Sequence, residues 1–352
     1  MDFTLTEDRR MLSDSLSRFL ADKYTYDHRA KVAYEAPFHD AGLWSEMCEI
    51  GVLYALAPED AGGFGGGGFD ITTVFEALGR GLSPAPVLGT LLASKLLTAA
   101  GADQSALLDG SVRYAVAIGE LDAPYDLDGI ATEASGGTLT GRKSVVYGGN
   151  DAEVFLVAAK SGDGLAIYEV KASDADVTGY GLIDGGGAAE LFLDKTPGTE
   201  VLANARDALE DALDAGRLAL CAEAVGAMDA TNEILLDYLR TRKQFGVPIG
   251  KFQALQHRAV DLVTEIEQAR SITIFAASRM GEADQARSVS MAKTLIGRAA
   301  RLVSEEAIQM HGGIAMTWEA SVSHYGKRLV MIDAQLGDVD YNLERVMAGY
   351  AA

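Results

Sequence analysis

The chain has 352 residues, 48% of them hydrophobic and 23% charged, which suits a folded protein of two or three structural units and argues against disorder. A formal net charge of −21 argues against a nucleic acid or an anionic membrane surface as partner, because both are gripped by basic surfaces. Cys48 and Cys221 stand far apart in apolar helical patterns and read as buried thiols in a reducing compartment, so neither a disulfide nor a metal site is expected; with no signal-like start and no long apolar run, a cytoplasmic location is expected.

From residue 6 to about 102 the apolar spacing is helical. It opens on Thr6, a capping residue with Arg9 where Glu is usual, and continues through Met11, Leu12, Leu16, Phe19 and Leu20 on one face. A glycine cluster at Gly62, Gly63 and Gly65 to Gly68 then reads as a flexible loop. Around residues 114–193 the pattern changes to short alternating runs separated by Gly, Asp and Asn turns, which predicts a compact β domain. Long helical patterns return at roughly 207–241, 254–281, 284–311, 319–333 and 338–350, enough for a bundle.

The expected fold is mainly-α α+β. A helical N-terminal domain spans roughly 1–112, a central β-sandwich or barrel-like domain 113–200, and a C-terminal helical bundle 201–352. Strands and helices do not alternate around a phosphate-binding turn, and no GxGxxG stands between a strand and a helix. A nicotinamide-dependent Rossmann enzyme is therefore the weaker reading.

Two segments carry the chemistry. Arg242-Lys243-Gln244-Phe245-Gly246 puts a guanidinium at a helix end beside an aromatic ring and a glycine turn, a combination suited to a diphosphate joined to a flat heterocycle. Gln309-Met310-His311-Gly312-Gly313 supplies an amide side chain and two residues without Cβ, which lets backbone approach a ligand closely. By spacing alone, Phe245 would be a helix-end core residue, Gly312 and Gly313 a plain C-cap, and His311 a hydrogen-bonded structural histidine.

With their surroundings, QFGVPIGKFQALQHRAVD and QMHGGIAMTWE, these segments closely resemble the FAD-binding segments of the acyl-CoA dehydrogenase family. The resemblance covers essentially the whole chain and is greatest to small subunits of pimeloyl-CoA-type dehydrogenases, short members that pair with a larger homologous subunit. It implies FAD as cofactor: Arg242 on the pyrophosphate, Gln244 and Phe245 along the cofactor, and Gln309, Gly312 and Gly313 at the adenosine half, commonly that of a neighbouring subunit. The implied partners are an acyl-CoA substrate, an electron-transfer flavoprotein or similar acceptor, and the other chains of a homo- or heterotetramer. The glycine cluster likewise resembles the family's PExxGGxG loop near the acyl pocket.

Family chemistry removes a proton beside the thioester carbonyl while hydride leaves the β-carbon, giving a 2,3-enoyl-CoA. The carboxylate base usually stands in a segment like IYEGTxxIxR, and alignment on Arg345 places Asp338 there. Asp338 equally suits the N-cap of the last helix. The alternative base position, just before Arg217, holds Gly216. Family residues that contact the flavin ring are replaced by Asp340 and Asn342, and the usual Thr-Glu-Pro is missing around Gly119-Glu120-Leu121. Three functions stay open: an acyl-CoA dehydrogenase or its small subunit, a non-catalytic subunit completing a partner's FAD site, and a flavin oxidase on the same fold.

Overall fold

The computed structural model describes residues 5–162 and 164–351. Six helices come first: α1 (Glu7–Lys23), α2 (Tyr26–Val32), α3 (Ala41–Glu49), α4 (Gly68–Arg80), α5 (Val87–Ala100) and α6 (Ser105–Leu108). Thr6 caps α1, its hydroxyl accepting from Arg9 N at 3.4 Å, and Asp40 caps α3 by accepting from Leu43 N at 2.9 Å. These bonds satisfy amide donors that a helix start otherwise leaves open.

The strands are β1 (Tyr114–Ala117), β2 (Glu133–Ser135), β3 (Thr138–Tyr147), β4 (Val154–Ser161), β5 (Gly164–Lys171), β6 (Asp176–Gly181), β7 (Gly187–Pro197) and β8 (Thr199–Leu202). They form one mixed sheet in the order β6-β7-β3-β2-β4-β5-β8, with β1 pairing in parallel with β4. The helices α7 (Arg206–Thr241), α8 (Gln253–Ala277), α9 (Gln285–His311), α10 (Ser321–Ala334) and α11 (Val339–Ala351) follow, with a small hairpin of β9 (Lys243–Gln244) and β10 (Val247–Pro248) after α7.

The chain divides into two compact units. The first takes residues 27–70 and 84–216 and holds the sheet. Its β4 buries Phe155 to Ala159 without interruption, as a strand covered on both faces does. Beside it lies a buried ion pair. Lys143 Nζ donates to Glu120 Oε1 at 2.8 Å and to Ile118 O at 3.0 Å, while Glu120 also accepts from Ala131 N, Thr132 N and the Thr132 hydroxyl. Burial pushes the Glu120 carboxyl up, but the Lys143 and Thr132 hydrogen bonds outweigh it and hold the pKa down at about 2. Burial also lowers Lys143 to about 8, against the pull of Glu120.

The glycine cluster in this unit is folded rather than loose. Gly63 N donates to Pro58 O, Phe64 N to Tyr54 O, Gly65 N to Ala57 O and Gly66 N to Ala55 O, all within 3.0 Å. A Cβ at Gly63 or Gly65 would collide with the backbone of Ala57 or Ala55, so the glycines allow backbone to pack on backbone. The flexible-loop expectation is thereby corrected.

The second unit takes the chain up to Tyr26, then residues 71–83 and from 217 onward. Within it α9 packs against α8, α10 and α11. Its buried stripe, Val289, Ala292, Ile296, Ala299, Ala300, Val303, Ala307 and Met310, recurs at helical spacing, and its small residues let the neighbouring helices approach. Between α10 and α7, Arg328 clasps Glu223 through two bonds of 2.6 and 2.7 Å. Removing one partner of such a buried pair costs about 3–5 kcal/mol, since the other charge is left uncompensated. Both cysteines are buried, and burial raises their thiols to about 11 for Cys48 and about 12 for Cys221.

Candidate FAD and acyl-CoA site

Arg242 continues the last turn of α7, its N–H donating to Tyr238 O at 2.8 Å, and its carbonyl accepts from Ile249 N at 2.8 Å. Gln244 pairs with Val247, which makes Phe245 and Gly246 a two-residue hairpin turn at φ 54° and 80°. Positive φ at both central positions is the requirement of a primed turn, normally met by Asn-Gly. A phenylalanine there is an outlier, and it is not burial that holds it, since Phe245 is 92% exposed. The helix-end core reading is overturned: the ring stands at the hairpin tip, edge-on to Phe252 at 6.2 Å. Arg242 and Gln244 are also exposed, and among the described residues the Arg242 guanidinium has no ion-pair partner.

At the end of α9, His311 is buried with Nδ1 2.7 Å from Ala307 O, and burial lowers its pKa. Its ring stacks on Tyr238 with centroids 4.4 Å apart. This stack joins the two segments, since Tyr238 lies one turn before Arg242 and His311 directly precedes Gly312. Gly312 ends the helix at φ 70°, ψ −152°, a region open essentially to glycine. Gly313 is different. It has no left-handed φ, and an added Cβ would meet nothing within 4 Å, so the chain's own packing does not require glycine there. Gln309 is exposed beside it.

Asp338 lies after the turn between α10 and α11, in which Leu336 and Gly337 take φ 56° and 110°. Its Oδ1 accepts from Tyr341 N at 2.9 Å, which is an N-cap bond, while its Oδ2 has no partner among the described residues. Buried Arg217 donates from Nε to Leu336 O at 2.8 Å. The amide nitrogen of buried Asn342 donates to Gly337 O and Asp338 O, both at 2.9 Å, so its donors are spent on backbone, while its Oδ1 is buried with no partner among the described residues.

Asp338 is not brought to the grip residues. It lies beside the Lys293 stretch of α9, and the rise from Lys293 to His311 is roughly 27 Å at 1.5 Å per residue. Sequence reading missed Tyr238, whose signal is its i,i+4 spacing from Arg242. It also missed Lys293, a charge on the same stripe as Val289, Ile296 and Ala300. An unpaired exposed guanidinium, an exposed ring in a strained turn and a glycine not needed by the fold fit a diphosphate-linked heterocycle such as FAD.

Residues 6–106 match the N-terminal domain and residues 206–348 the C-terminal domain of acyl-CoA dehydrogenase. Acyl-CoA dehydrogenase IpdE2 of Mycobacterium tuberculosis is 30% identical over 339 residues, 92% of each chain. The IpdE2 of Mycolicibacterium smegmatis is 28% identical over 350 residues, 98% of this chain and 99% of its own. Among solved structures, the ChsE4-ChsE5 complex from Mycobacterium tuberculosis superposes with a TM-score of 0.91 at 26% identity, covering 100% of this chain and 99% of that one. Matched at both ends by the family's domains and along its length by these relatives, the chain belongs to the acyl-CoA dehydrogenases, FAD-dependent oxidoreductases acting on the CH–CH bond of acyl-CoA thioesters.

Proposed function

We propose that this chain is one subunit of a heteromeric acyl-CoA dehydrogenase, converting an acyl-CoA to its 2,3-enoyl-CoA with Asp338 as base. The observation that carries the reading is the Arg242–Phe245 hairpin, which presents an exposed cation with no ion-pair partner among the described residues and a ring that is 92% exposed. In this reading Arg242 holds the pyrophosphate of FAD, Gln244 and Phe245 flank the cofactor, and Gln309, Gly312 and Gly313 receive the adenosine half. Because the grip stands at the end of α9 and Asp338 beside the Lys293 stretch of that helix, the grip serves a cofactor whose reactive end belongs to another chain. The likeness to a chain of the ChsE4-ChsE5 complex, which is named for two proteins, supports a heteromeric assembly.

At the reacting end, Asp338 Oδ2 takes the proton from C2 of the thioester while Oδ1 keeps its cap bond, so the cap fixes the direction of the base. When bound, FAD supplies the acceptor for the hydride that leaves C3. The final acceptor in this reading would be an electron-transfer flavoprotein or a similar protein.

A second reading, a non-catalytic subunit completing the partner's FAD site, is favoured by the cap bond itself, which gives Asp338 a role without chemistry. Co-purification with the partner, followed by Asp338→Asn in this chain, decides between them. With a dye acceptor and a panel of straight-chain, dicarboxylic and steroid-side-chain acyl-CoA thioesters, the proposal expects turnover to fall about a hundredfold or more, the range of a lost general base. Full turnover by Asp338→Asn in an FAD-loaded complex leaves the non-catalytic role.

A further inference from the structure

The turn before Asp338 is held by a buried ammonium that the reaction itself does not use. Lys293 is 0% exposed, and its Nζ donates to Ile332 O at 2.9 Å, Asp333 O at 2.8 Å and Gly337 O at 2.9 Å. All three of its hydrogens are thus placed on carbonyls. Two of these belong to the last turn of α10, where helix carbonyls lack intrahelical partners and a cation is favoured by the helix dipole. The third is the carbonyl directly before Asp338. The side chain therefore ties the end of α10 to the start of the segment that aims the carboxylate.

Asn342 acts on the same segment from the other side, its amide nitrogen bridging Gly337 O and Asp338 O. Between them, Lys293 and Asn342 place three hydrogen bonds on two successive carbonyls. Leu336, a non-glycine residue at φ 56°, shows that the turn is held in a conformation it would not adopt freely. Burying an ammonium without a carboxylate at ion-pair distance is costly, and burial lowers its pKa to about 8. Filling the space with an apolar side chain would stabilise the bundle more simply.

We propose that Lys293 and Asn342 are positioning residues that fix the backbone around Gly337 and so set the reach of Asp338 toward the substrate α-carbon. The proposal rests on Asp338 being the base. It also accounts for how a carboxylate one methylene shorter than glutamate is brought to the right place: the turn, not the side chain, supplies the reach. A displacement of about 1 Å at a reacting group can cost on the order of a hundredfold, so a loosened turn is felt in the chemical step before it is felt in binding.

The test uses the assembled, FAD-loaded complex with Lys293→Met, Asn342→Ala and Asp338→Asn in parallel, and the most active acyl-CoA of the panel above. Expected for Lys293→Met and Asn342→Ala are unchanged FAD content and KM, flavin bleaching slowed about ten- to a hundredfold, a larger isotope effect with C2-deuterated substrate, and faster amide hydrogen exchange over residues 335–341. A role confined to packing would lower thermal stability and leave the bleaching rate and isotope effect of the folded fraction unchanged. If Lys293→Met does not fold, the milder Asn342→Ala carries the decision. Bleaching within about twofold of wild type in the folded variants, with Asp338→Asn inactive, overturns the positioning role and leaves the base assignment standing. If Asp338→Asn keeps full turnover, the base assignment falls, and unchanged exchange over 335–341 in both variants then overturns the clamp as well.

Discussion

Gly312 and Gly313 are adjacent, yet the structure separates what each is for, and paired substitutions read the difference. At Gly312, φ 70° with ψ −152° is closed to L-residues, so Gly312→Ala is expected to destabilise the chain by about 1–3 kcal/mol whatever it binds. At Gly313 the backbone conformation is ordinary and a methyl group would meet nothing within 4 Å. Gly313→Ala should therefore leave stability unchanged or raise it by about 0.4–1 kcal/mol, because alanine narrows the unfolded ensemble. If the absence of Cβ instead serves a ligand, the same substitution weakens FAD binding to the assembled complex by about tenfold or more, on the order of 1.4 kcal/mol for each tenfold. Thermal melting of the apoprotein and fluorescence titration with FAD measure the two quantities on one sample. Undiminished FAD affinity in Gly313→Ala would refute the idea that backbone here closes against the cofactor.

Phe245→Ala should leave the melting temperature of the isolated chain nearly unchanged, since a ring 92% exposed adds little to the fold, while FAD content of the complex falls; an equal loss in both would show that the ring is structural. Glu120→Gln leaves Lys143 buried with no counter-charge, and a stability loss of about 3–5 kcal/mol is expected by urea unfolding near neutral pH. The wild-type pH dependence has a fixed sign. Because the folded Glu120 pKa lies below its ordinary value of 4.5, its contribution is present above about pH 4.5 and is lost as pH falls toward 2. Lys143 is displaced in the same direction, about 8 against 10.5, which for a base disfavours the charged form, so between those values the unfolded chain binds more protons and stability rises with pH; because Glu120 holds the Lys143 pKa up, the lysine of Glu120→Gln sheds its proton at lower pH, and the deficit should shrink as pH rises toward about 8 and level off above it, whereas a deficit that does not change with pH would contradict this account.

The helices were readable because their stripes are long and regular. The expected 284–311 pattern is α9 (Gln285–His311), and the 207–241 pattern is α7 (Arg206–Thr241). The β region was readable as strands but not as a sheet order, because the pairing of β2 between β3 and β4 depends on long-range register rather than local alternation. By spacing alone Phe245 reads as buried, because a hydrophobic residue at a helix end usually is, and nothing in five residues signals that a hairpin turn will hold it in solvent. Glu120 stands where the usual Thr-Glu-Pro is missing, and nothing local signals that its carboxylate organises the loop at residues 131–132 and neutralises Lys143. Lys293 was overlooked because a lysine in a helix reads by default as a solvated charge, and its position on the apolar stripe was the available sign.

On the proposed assignment of Asp338 as base, an aspartate in place of the usual glutamate has a physical logic that follows from where it stands. Aspartate is among the preferred N-cap residues, because its short side chain returns directly to the backbone amides of the first turn, and here Oδ1 does so at Tyr341 N. A glutamate at the same place would gain reach, but with an extra rotatable bond to order. The aspartate gives up that reach and gains a carboxylate whose rotamer is fixed by a bond the helix needs in any case. What the side chain no longer supplies must come from the backbone, and the backbone of Leu336, Gly337 and Asp338 is where side-chain donors from α7, α9 and α11 converge. Cap and proposed base are then compatible: under that proposal the two carboxylate oxygens divide the tasks, and the bond that orders one leaves the other without a competing donor among the described residues.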